Sequence, residues 1–322
     1  MPALRDDIDP DGLLEYSVVF SDRSLNSMSD AFGHVMRDIS RIMKAAYGAA
    51  SVAVVPGGGT YGMEAIARQF TTDAKVLVIR NGWFSFRWSQ IIEAGRLATS
   101  TTVLAARQLE DTSDAPFAPV PLDEIIAAIR SEKPDVVCCP HVETSAGLMV
   151  PDGFISAVAD AVHEHGGLFV LDCVASGTVF VNLEETGVDV LLTAPQKGWS
   201  ASPCAALVMM SPHASARLDE TTSSSFANDL KKWMQIMETY EAGAHAYHAT
   251  MPTDALRHFR DALVEAEAFG LAALKEAQIR LGREVRELMD SYQYKSVAAT
   301  GFEAPSVVLC FAPNADIKTG KA

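Results

Sequence analysis

Six short apolar segments alternate with segments of helical periodicity or with polar loops between about residues 50 and 210. They read SVAVVP, KVLVIR, DVVCCP, GLFVLD, VDVLLTAP and CAALVMMS. Because they are apolar without strict alternation, they are typical of strands covered on both faces by helices. The segments 60–70, 83–95, 121–130 and 153–165 have the periodicity of crossover helices. The sequence therefore predicts an α/β fold with a mostly parallel central sheet and helices on both faces.

The length of 322 residues favours two structural units, because domains typically contain about 100–200 residues. We predict an N-terminal segment at 1–24, a large domain at 25–265 and a small α/β domain at 266–322. The stretch from residue 254 to about 289 is rich in Ala, Glu, Leu and Arg and is predicted to be one long helix. Residues 297–313 regain strand character, which we assign to the small domain.

The formal net charge of −15 makes nucleic acid and anionic membranes unfavourable partners. The N-terminus is acidic and lacks the features of a signal peptide, and no apolar run reaches the ~18 residues of a membrane span. The cysteines match neither a disulfide framework nor a zinc site, so we expect them to be reduced and buried, and we predict no metal site. They are Cys138, Cys139, Cys173, Cys204 and Cys310. A cytoplasmic protein is the expectation.

The loops that follow the apolar segments are the first place to look for a site, since ligands of open α/β sheets bind beyond the carboxyl ends of the strands. The first loop contains Gly58, Gly59 and Thr60 and opens a predicted helix. Its glycines and the free N–H groups of the helix can hold a phosphate, although a tight turn without a ligand explains the same residues. The letters also match the dinucleotide pattern G-x-G-x-x-G, but the second strand ends in Arg80 and Asn81 where an acidic residue is expected.

Two further residues have the chemistry of a cofactor site. Asp172 ends the segment GLFVLD, where it is either a capping residue or a carboxylate at the rim of the sheet. Lys197 lies in a polar loop between two apolar strands, and we expect it to be buried near a ligand rather than solvated. A lysine, a carboxylate and a phosphate cradle on one sheet edge are the three groups that pyridoxal 5'-phosphate requires.

These motifs resemble the class V branch of the fold-type I pyridoxal-phosphate aminotransferases, in particular the alanine–glyoxylate and serine–pyruvate aminotransferases. The resemblance extends from about residue 50 to residue 255. It identifies GGGTYGMEA as the phosphate-binding loop, with Gly58, Gly59 and Thr60 as contacts. NGWFSFR resembles the segment that supplies an aromatic ring stacked on the cofactor, which implies this role for Phe84, with Trp83 as the alternative.

The later motifs occur in the order of the same family. HVETSAG implies that Thr144 lies beside the phenolic oxygen of the cofactor. DCVAS implies that Asp172 binds the ring nitrogen and that Val174 lies beneath the ring. QKGW implies that Gln196 contacts the phosphate and that Lys197 forms the Schiff base.

The segment AYHATMP resembles a family stretch in which Tyr247 and Thr250 reach the phosphate of the neighbouring subunit. The resemblance therefore implies a homodimer with shared active sites. The implied activity is transfer of the amino group of a small amino acid, alanine or serine, to a 2-oxo acid, glyoxylate or pyruvate. The identities of donor and acceptor do not follow from the sequence.

The C-terminal part departs from the family. The arginine that binds the substrate carboxylate in an R-I-G strand has no counterpart here, and we expect Arg280, Arg283 and Arg286 to lie on a solvated helix face. We therefore expect the sequence to be a fragment that holds the cofactor but transaminates poorly, because charge-assisted carboxylate pairs contribute about 1.5–3 kcal/mol. Restoring a natural C-terminal extension is expected to recover turnover.

Three other functions remain open on the sequence alone. A lyase or cysteine desulfurase of the same fold usually has a histidine before the lysine and a cysteine in a mobile loop, whereas this chain has Gln196 and, in a predicted strand, Cys204. A nicotinamide-dependent oxidoreductase rests on the glycine loop alone. A non-catalytic remnant would bind pyridoxal phosphate, or only dimerise, without turnover.

Overall fold

The computed structural model describes residues 25–319. The predicted N-terminal segment 1–24 lies outside the described residues, as do residues 320–322. Within the described range, no helix combines the length and the apolar character that crossing a membrane requires. The predicted domain boundary at residues 265 and 266 falls inside the helix Thr253–Phe269 and stays a prediction.

The strands of the described range include the six predicted from the apolar segments and several shorter ones. In chain order they are β1 (Ser51–Pro56), β2 (Lys75–Arg80), β3 (Ser100–Ala105), β4 (Arg107–Gln108), β5 (Phe117–Ala118), β6 (Val136–Pro140), β7 (Val142–Glu143), β8 (Leu148–Met149), β9 (Leu168–Asp172), β10 (Val190–Thr193) and β11 (Ala205–Met210). The segment that forms β3 was not predicted, because its first residues are exposed threonine and serine and it lies at the edge of the sheet.

Within residues 25–319, seven of these strands form one sheet in the order β1-β11-β10-β9-β6-β2-β3. Strand β11 runs antiparallel to both β1 and β10, and the other neighbouring pairs are parallel. The register aligns Asp172, the last residue of β9, with Pro140 of β6 and Leu192 of β10. The prediction of a mostly parallel sheet is confirmed, and its carboxyl ends meet at one edge.

Helices connect the strands at the predicted places. In chain order they are α1 (Asp30–Tyr47), α2 (Gly59–Phe70), α3 (Phe86–Gly95), α4 (Leu122–Glu132), α5 (Asp152–His163), α6 (Leu183–Thr186), α7 (Pro212–Glu220), α8 (Leu230–Glu241), α9 (Thr253–Phe269), α10 (Leu271–Ser291) and α11 (Ala315–Thr319). Four of them, α2 to α5, correspond to the predicted crossover helices. Each of the four begins within about three residues of its predicted start, which is the usual accuracy for helix ends.

The core of the large unit lies on both sides of the sheet. Strands β6, β9 and β11 are buried along their whole length. Because successive side chains of a strand point to opposite faces, complete burial requires cover on both faces. Helix α5 contacts β9, α2 contacts β11, and α1 and α8 contact β1. The predicted arrangement of helices around the sheet is therefore present.

The predicted long helix over residues 254–289 is wrong in one respect, because it is two helices. Helix α9 ends at Phe269 and α10 begins at Leu271. The residue between them, Gly270, has φ +103°, a conformation that side-chain-bearing L-residues rarely adopt and that ends a helix. The apolar periodicity continues across this glycine, which is why the sequence pattern did not separate the two helices.

Two predictions for the C-terminal part are also wrong. Residues 297–313 do not form a regular strand and instead make isolated bridges, such as the one between Ser296 and Cys310. Arg286 is not on a solvated face, since it is half-buried and its Nη2 donates to the carbonyl oxygens of Ala304 at 2.7 Å and Val307 at 3.1 Å. Arginine satisfies the carbonyls that a missing strand ladder leaves unpaired. Arg280 and Arg283 are exposed, as predicted.

Candidate active site

The loops that follow five strands of the sheet meet at its carboxyl edge. They follow β1, β2, β6, β9 and β10, and the sequence analysis drew its candidate residues from them. Parallel strands end at the same edge, and β1 is parallel to this group because β11 reverses direction between them. The topology therefore brings together residues that lie up to about 140 positions apart in the chain.

The glycine loop between β1 and α2 exposes the N-terminus of the helix to this edge. Gly57 has φ +119°, and a Cβ atom there would lie 2.5 Å from the ring of Tyr61. Helix α2 begins at Gly59, and its N-cap is Gly58, which has no side chain to bond the N–H groups of the first turn. Thr60 lies in that turn, and its Oγ1 accepts a hydrogen bond from Arg87 Nη1 at 2.8 Å. Free N–H groups and a guanidinium make this corner attractive for an anion.

Asp172 is a buried carboxylate at the end of β9. Its Oδ1 accepts a hydrogen bond from the N–H of Val174 at 3.0 Å, and its carbonyl oxygen accepts one from the N–H of His141 at 2.8 Å. Burial raises the pKa of Asp172 to about 6, while the hydrogen bond from Val174 and the charge of Arg87 act in the opposite direction. The carboxylate is therefore ionised at neutral pH and able to accept a proton or a charged hydrogen bond.

Lys197 lies in the loop after β10, where the sequence predicted it, but its burial was predicted wrongly. The side chain is exposed, although it lines the same cavity as Asp172. The loop around it is fixed by close backbone packing, since a Cβ atom at Gly198 would lie 2.0 Å from the carbonyl oxygen of Gly177. The backbone beside Lys197 is thus fixed, and its side chain is open to a reacting molecule.

Phe84 rather than its neighbour Trp83 faces the cavity. Trp83 is 65% exposed and lines a separate depression with Arg80 and Phe117. Phe84 lines the cavity that holds Lys197, and the guanidinium of Arg87 lies 5.5 Å from the centre of its ring. Of the two aromatic residues that the sequence left open for stacking, the geometry favours Phe84.

A buried carboxylate that the sequence analysis did not single out fixes the loop of Phe84. The side chain of Glu143 is fully buried. Its oxygens accept hydrogen bonds from the N–H groups of Phe84 at 3.1 Å and Ser85 at 2.9 Å, and from the hydroxyls of Ser85 and Ser145, each at 2.7 Å. Replacing any of these donors would leave a buried charge short of partners. We therefore interpret Glu143 as the residue that sets the position of Phe84.

His141 is a second buried group that sequence reasoning missed. Its Nδ1 lies 2.7 Å from Ser176 Oγ, and burial lowers the pKa of its ring to about 3, so that it stays neutral. His141 thus contacts the segment after β9 through Ser176 and the end of β9 through its N–H, which donates to the carbonyl oxygen of Asp172. The motif HVET indicated that this loop belongs to the site. The sequence alone does not show whether its histidine is buried or exposed.

Eight predicted residues line one cavity of about 240 Å³. They are Gly59, Thr60, Phe84, Thr144, Asp172, Val174, Gln196 and Lys197. Met63, Arg87, Val142 and Ala175 complete the lining. Three predicted residues do not line it. Gly58 is the adjacent N-cap, whereas Tyr247 and Thr250 lie elsewhere on the surface, where the Tyr247 hydroxyl is 3.5 Å from Thr250 Oγ1.

The lining residues fit pyridoxal phosphate. The amine of Lys197 matches an aldehyde, the buried carboxylate of Asp172 matches a pyridinium nitrogen, and the N-terminus of α2 matches a phosphate. The side-chain oxygen of Gln196 is buried and has no hydrogen-bond partner among the described residues. Buried polar atoms are almost always paired, so this amide is suited to a polar ligand that enters the cavity. Rotation of the amide would direct its N–H groups at a phosphate.

The glycine loop offers a prediction with a matched control. A Cβ atom added to Gly59 would lie 2.8 Å from Val174 Cγ2, whereas one added to Gly58 would meet nothing within 4 Å. Gly59→Ala is therefore expected to destabilise the cofactor-free protein by about 1–3 kcal/mol, since valine is too stiff to yield cheaply. Gly58→Ala is expected to change the free energy of unfolding by less than about 0.5 kcal/mol. Urea unfolding checks both, and equal effects would show that Val174 does not press on the helix.

No protein-family model matches the chain. The chain is 28% identical over 259 residues to the small subunit of a soluble hydrogenase from Synechococcus sp., covering 80% of this chain and 64% of that protein. It is 28% identical over 257 residues to alanine–glyoxylate aminotransferase 1 of Saccharomyces cerevisiae, covering 74% of this chain and 62% of the enzyme. The chain thus spans less than two thirds of either relative.

A solved structure agrees with this relationship. The crystal structure of alanine–glyoxylate aminotransferase from Nostoc sp. superposes with a TM-score of 0.78 at 24% identity, covering 91% of this chain and 75% of the other. This likeness shows the fold, and the aminotransferases of this fold use pyridoxal phosphate. The expected fold class is confirmed. In sequence and in fold, the chain is similar to the fold-type I, class V pyridoxal-phosphate aminotransferases.

Proposed function

We propose that this chain is a pyridoxal-phosphate-dependent aminotransferase. The observation that carries the proposal is that the amine of Lys197 and the buried carboxylate of Asp172 line the same cavity as the N-terminus of α2. When bound, pyridoxal phosphate supplies an aldehyde that condenses with amines and a ring that withdraws electrons from the bound amino acid.

Each residue of the cavity then has a defined task. The amine of Lys197 would hold the cofactor through its aldehyde and would be the base that takes a proton from the substrate Cα. The carboxylate of Asp172 would hold a proton on the ring nitrogen. Thr60, the N-terminus of α2 and Gln196 would hold the phosphate, and Phe84 would cover the ring. Arg87 adds positive charge at the Thr60 corner.

We propose a small amino acid, alanine or serine, as the donor and glyoxylate or pyruvate as the acceptor. The yeast relative and the Nostoc structure are both alanine–glyoxylate aminotransferases, which supports this choice. Among the described lining residues, Lys197 is assigned to the cofactor, so Arg87 is the cation that can pair with an amino acid carboxylate.

We further propose that the protein acts as a homodimer, in which Tyr247 and Thr250 reach the cofactor of the partner subunit. Both are exposed and neither lines the cavity of its own chain, as this role requires. For the compartment, we propose the cytoplasm, supported by cysteines that are all unpaired and mostly buried. Light scattering of the purified protein would give the oligomeric state, and a monomer would contradict the shared site.

The desulfurase alternative gains no support from Cys204. This residue is 5% exposed and directly precedes β11, and its carbonyl oxygen accepts a hydrogen bond from Gly57. Burial raises the pKa of its thiol to about 11, so it carries little thiolate at neutral pH. A nucleophile for persulfide transfer needs the opposite properties, namely exposure, mobility and a low pKa.

A half-reaction screen tests the proposed activity. Purified protein loaded with pyridoxal phosphate is mixed with one amino acid at a time, and its visible absorption is followed. Alanine or serine is expected to remove the yellow absorption, and glyoxylate or pyruvate is expected to restore it. Lys197→Ala serves as the control that lacks the reacting amine. Yellow protein that responds to no amino acid would contradict transamination and favour a non-catalytic remnant, and release of pyruvate without a 2-oxo acid would favour a lyase.

A further inference from the structure

A histidine–aspartate–histidine cluster lies at the edge of the sheet opposite to the cavity. His163 is the last residue of α5, Asp189 directly precedes β10, and His213 lies in the first turn of α7. The cavity residues follow the carboxyl ends of the parallel strands, whereas Asp189 lies at the amino end of β10. The cluster is therefore separate from the proposed active site, and the sequence analysis predicted no metal there.

The three side chains converge closely enough to share one ion. His163 Nε2 lies 2.8 Å from Asp189 Oδ2, and His213 Nδ1 lies 3.0 Å from Asp189 Oδ1. Each residue offers a ligand atom within 4.8 Å of the other two. Nitrogen and oxygen ligands of tetrahedral zinc, at about 2.0–2.1 Å from the ion, lie about 3.3 Å from one another. To reach that geometry, each histidine nitrogen would move a few tenths of an ångström away from its Asp189 oxygen. The two imidazole rings would also have to approach each other by a larger distance.

The carboxylate at the centre is held rigidly by its surroundings. The side chain of Asp189 is 2% exposed, and its oxygens also accept hydrogen bonds from the N–H of Phe169 at 2.9 Å and from Ser211 Oγ at 3.1 Å. Such outer contacts are the ones that orient a metal-binding carboxylate. The two imidazoles are about 37% and 46% exposed, so one side of the cluster is open to water and to an incoming ion.

We propose that His163, Asp189 and His213 form a binding site for a divalent transition-metal ion of the zinc type. Two imidazoles and one carboxylate are borderline ligands that suit Zn²⁺ better than Mg²⁺ or Ca²⁺, which prefer oxygen alone. To bind the ion, each imidazole turns its lone pair toward it and carries its proton on the other ring nitrogen, while solvent supplies the remaining ligand. The ion would tie the end of α5 to the starts of β10 and α7.

Zinc titration of the full chain tests this site. The protein, freed of metal by a chelator, is titrated with zinc chloride by calorimetry, and its thermal unfolding is followed with and without zinc. Wild-type protein is expected to bind one zinc ion per chain and to unfold at a higher temperature with zinc. His163→Gln and His213→Gln are each expected to weaken binding at least about tenfold. Glutamine can still donate to Asp189, so these variants should fold, which unfolding without zinc verifies.

His258→Gln is the matched control, because His258 is exposed on α9 and outside the cluster. This variant is expected to bind zinc like the wild type. Lys197→Ala should do the same, since the cluster and the cavity lie at opposite edges of the sheet. Absence of saturable zinc binding in the wild type would overturn the proposal. Wild-type affinity for zinc in both His163→Gln and His213→Gln would overturn it as well. Neither outcome would affect the proposed aminotransferase activity.

Discussion

Replacing Lys197 by alanine is expected to lower transamination by about 10³-fold or more. If Lys197 has the proposed roles, the substitution removes both the amine that attaches the cofactor and the base that moves the proton of the substrate Cα, and a positioned acid–base group alone contributes about 10²–10⁴-fold. Lys197→Arg is expected to lose as much, because a guanidinium keeps the charge but neither condenses with the aldehyde nor releases its proton. Steady-state rates and the absorption spectrum of the protein mixed with pyridoxal phosphate measure both effects.

Lys232→Ala is the matched control for this experiment. Lys232 is an exposed lysine of α8, and its Nζ bonds only to Gln235 among the described residues, at 3.2 Å. Its removal is expected to leave the rate and the spectrum unchanged. A Lys197→Ala protein with more than a tenth of the wild-type rate would show that another amine does the chemistry.

Replacing Asp172 by asparagine is expected to affect activity and stability in opposite directions. Activity should fall by about 10²-fold, because the neutral amide no longer keeps a proton on the ring nitrogen. The cofactor-free protein should become more stable at pH 8. Burial raises the pKa of Asp172 to about 6, so ionising this carboxyl in the folded protein costs free energy on the order of 3 kcal/mol, and asparagine avoids that cost.

The pH dependence of this effect has a definite sign. A carboxyl whose pKa is raised on folding favours the folded state at low pH, and the advantage disappears as the pH rises from about 4 through about 6. Urea unfolding of wild-type and Asp172→Asn proteins should therefore give similar free energies near pH 4. The variant should be more stable above pH 7. A wild-type protein more stable than the variant at pH 8 would mean that Asp172 has a cationic partner in the cofactor-free state.

The central strands of the sheet could be predicted from the sequence because they are short, almost entirely apolar segments. The segment VVCCP and the first four residues of LFVLD are apolar at every position, a pattern typical of a strand covered on both faces. The edge strand β3 begins with exposed polar residues and lacks this apolar pattern, so the sequence did not predict it. The break at Gly270 and the irregular path of residues 297–313 depend on backbone angles and on partners distant in sequence, such as Arg286, which local patterns do not encode.

The site was predictable to the extent that topology determines it. Loops after parallel strands must share an edge, so Thr60, Asp172 and Lys197 could be expected to meet. What the sequence could not give is the burial of individual groups. Lys197 proved exposed, and Glu143 proved to be a buried hydrogen-bond centre rather than an ordinary acidic residue. The burial of a side chain depends on how several distant segments pack around it, so it cannot be predicted from the local sequence alone.

Reductive trapping followed by peptide mass analysis tests the central claim most directly. The protein is incubated with pyridoxal phosphate, treated with borohydride and digested, and every lysine peptide is weighed. The account predicts the mass of one reduced cofactor on the peptide that contains Lys197 and on no other, and loss of this adduct in Lys197→Ala. A stoichiometric adduct on a different lysine, or no adduct on the folded wild-type protein, would contradict it.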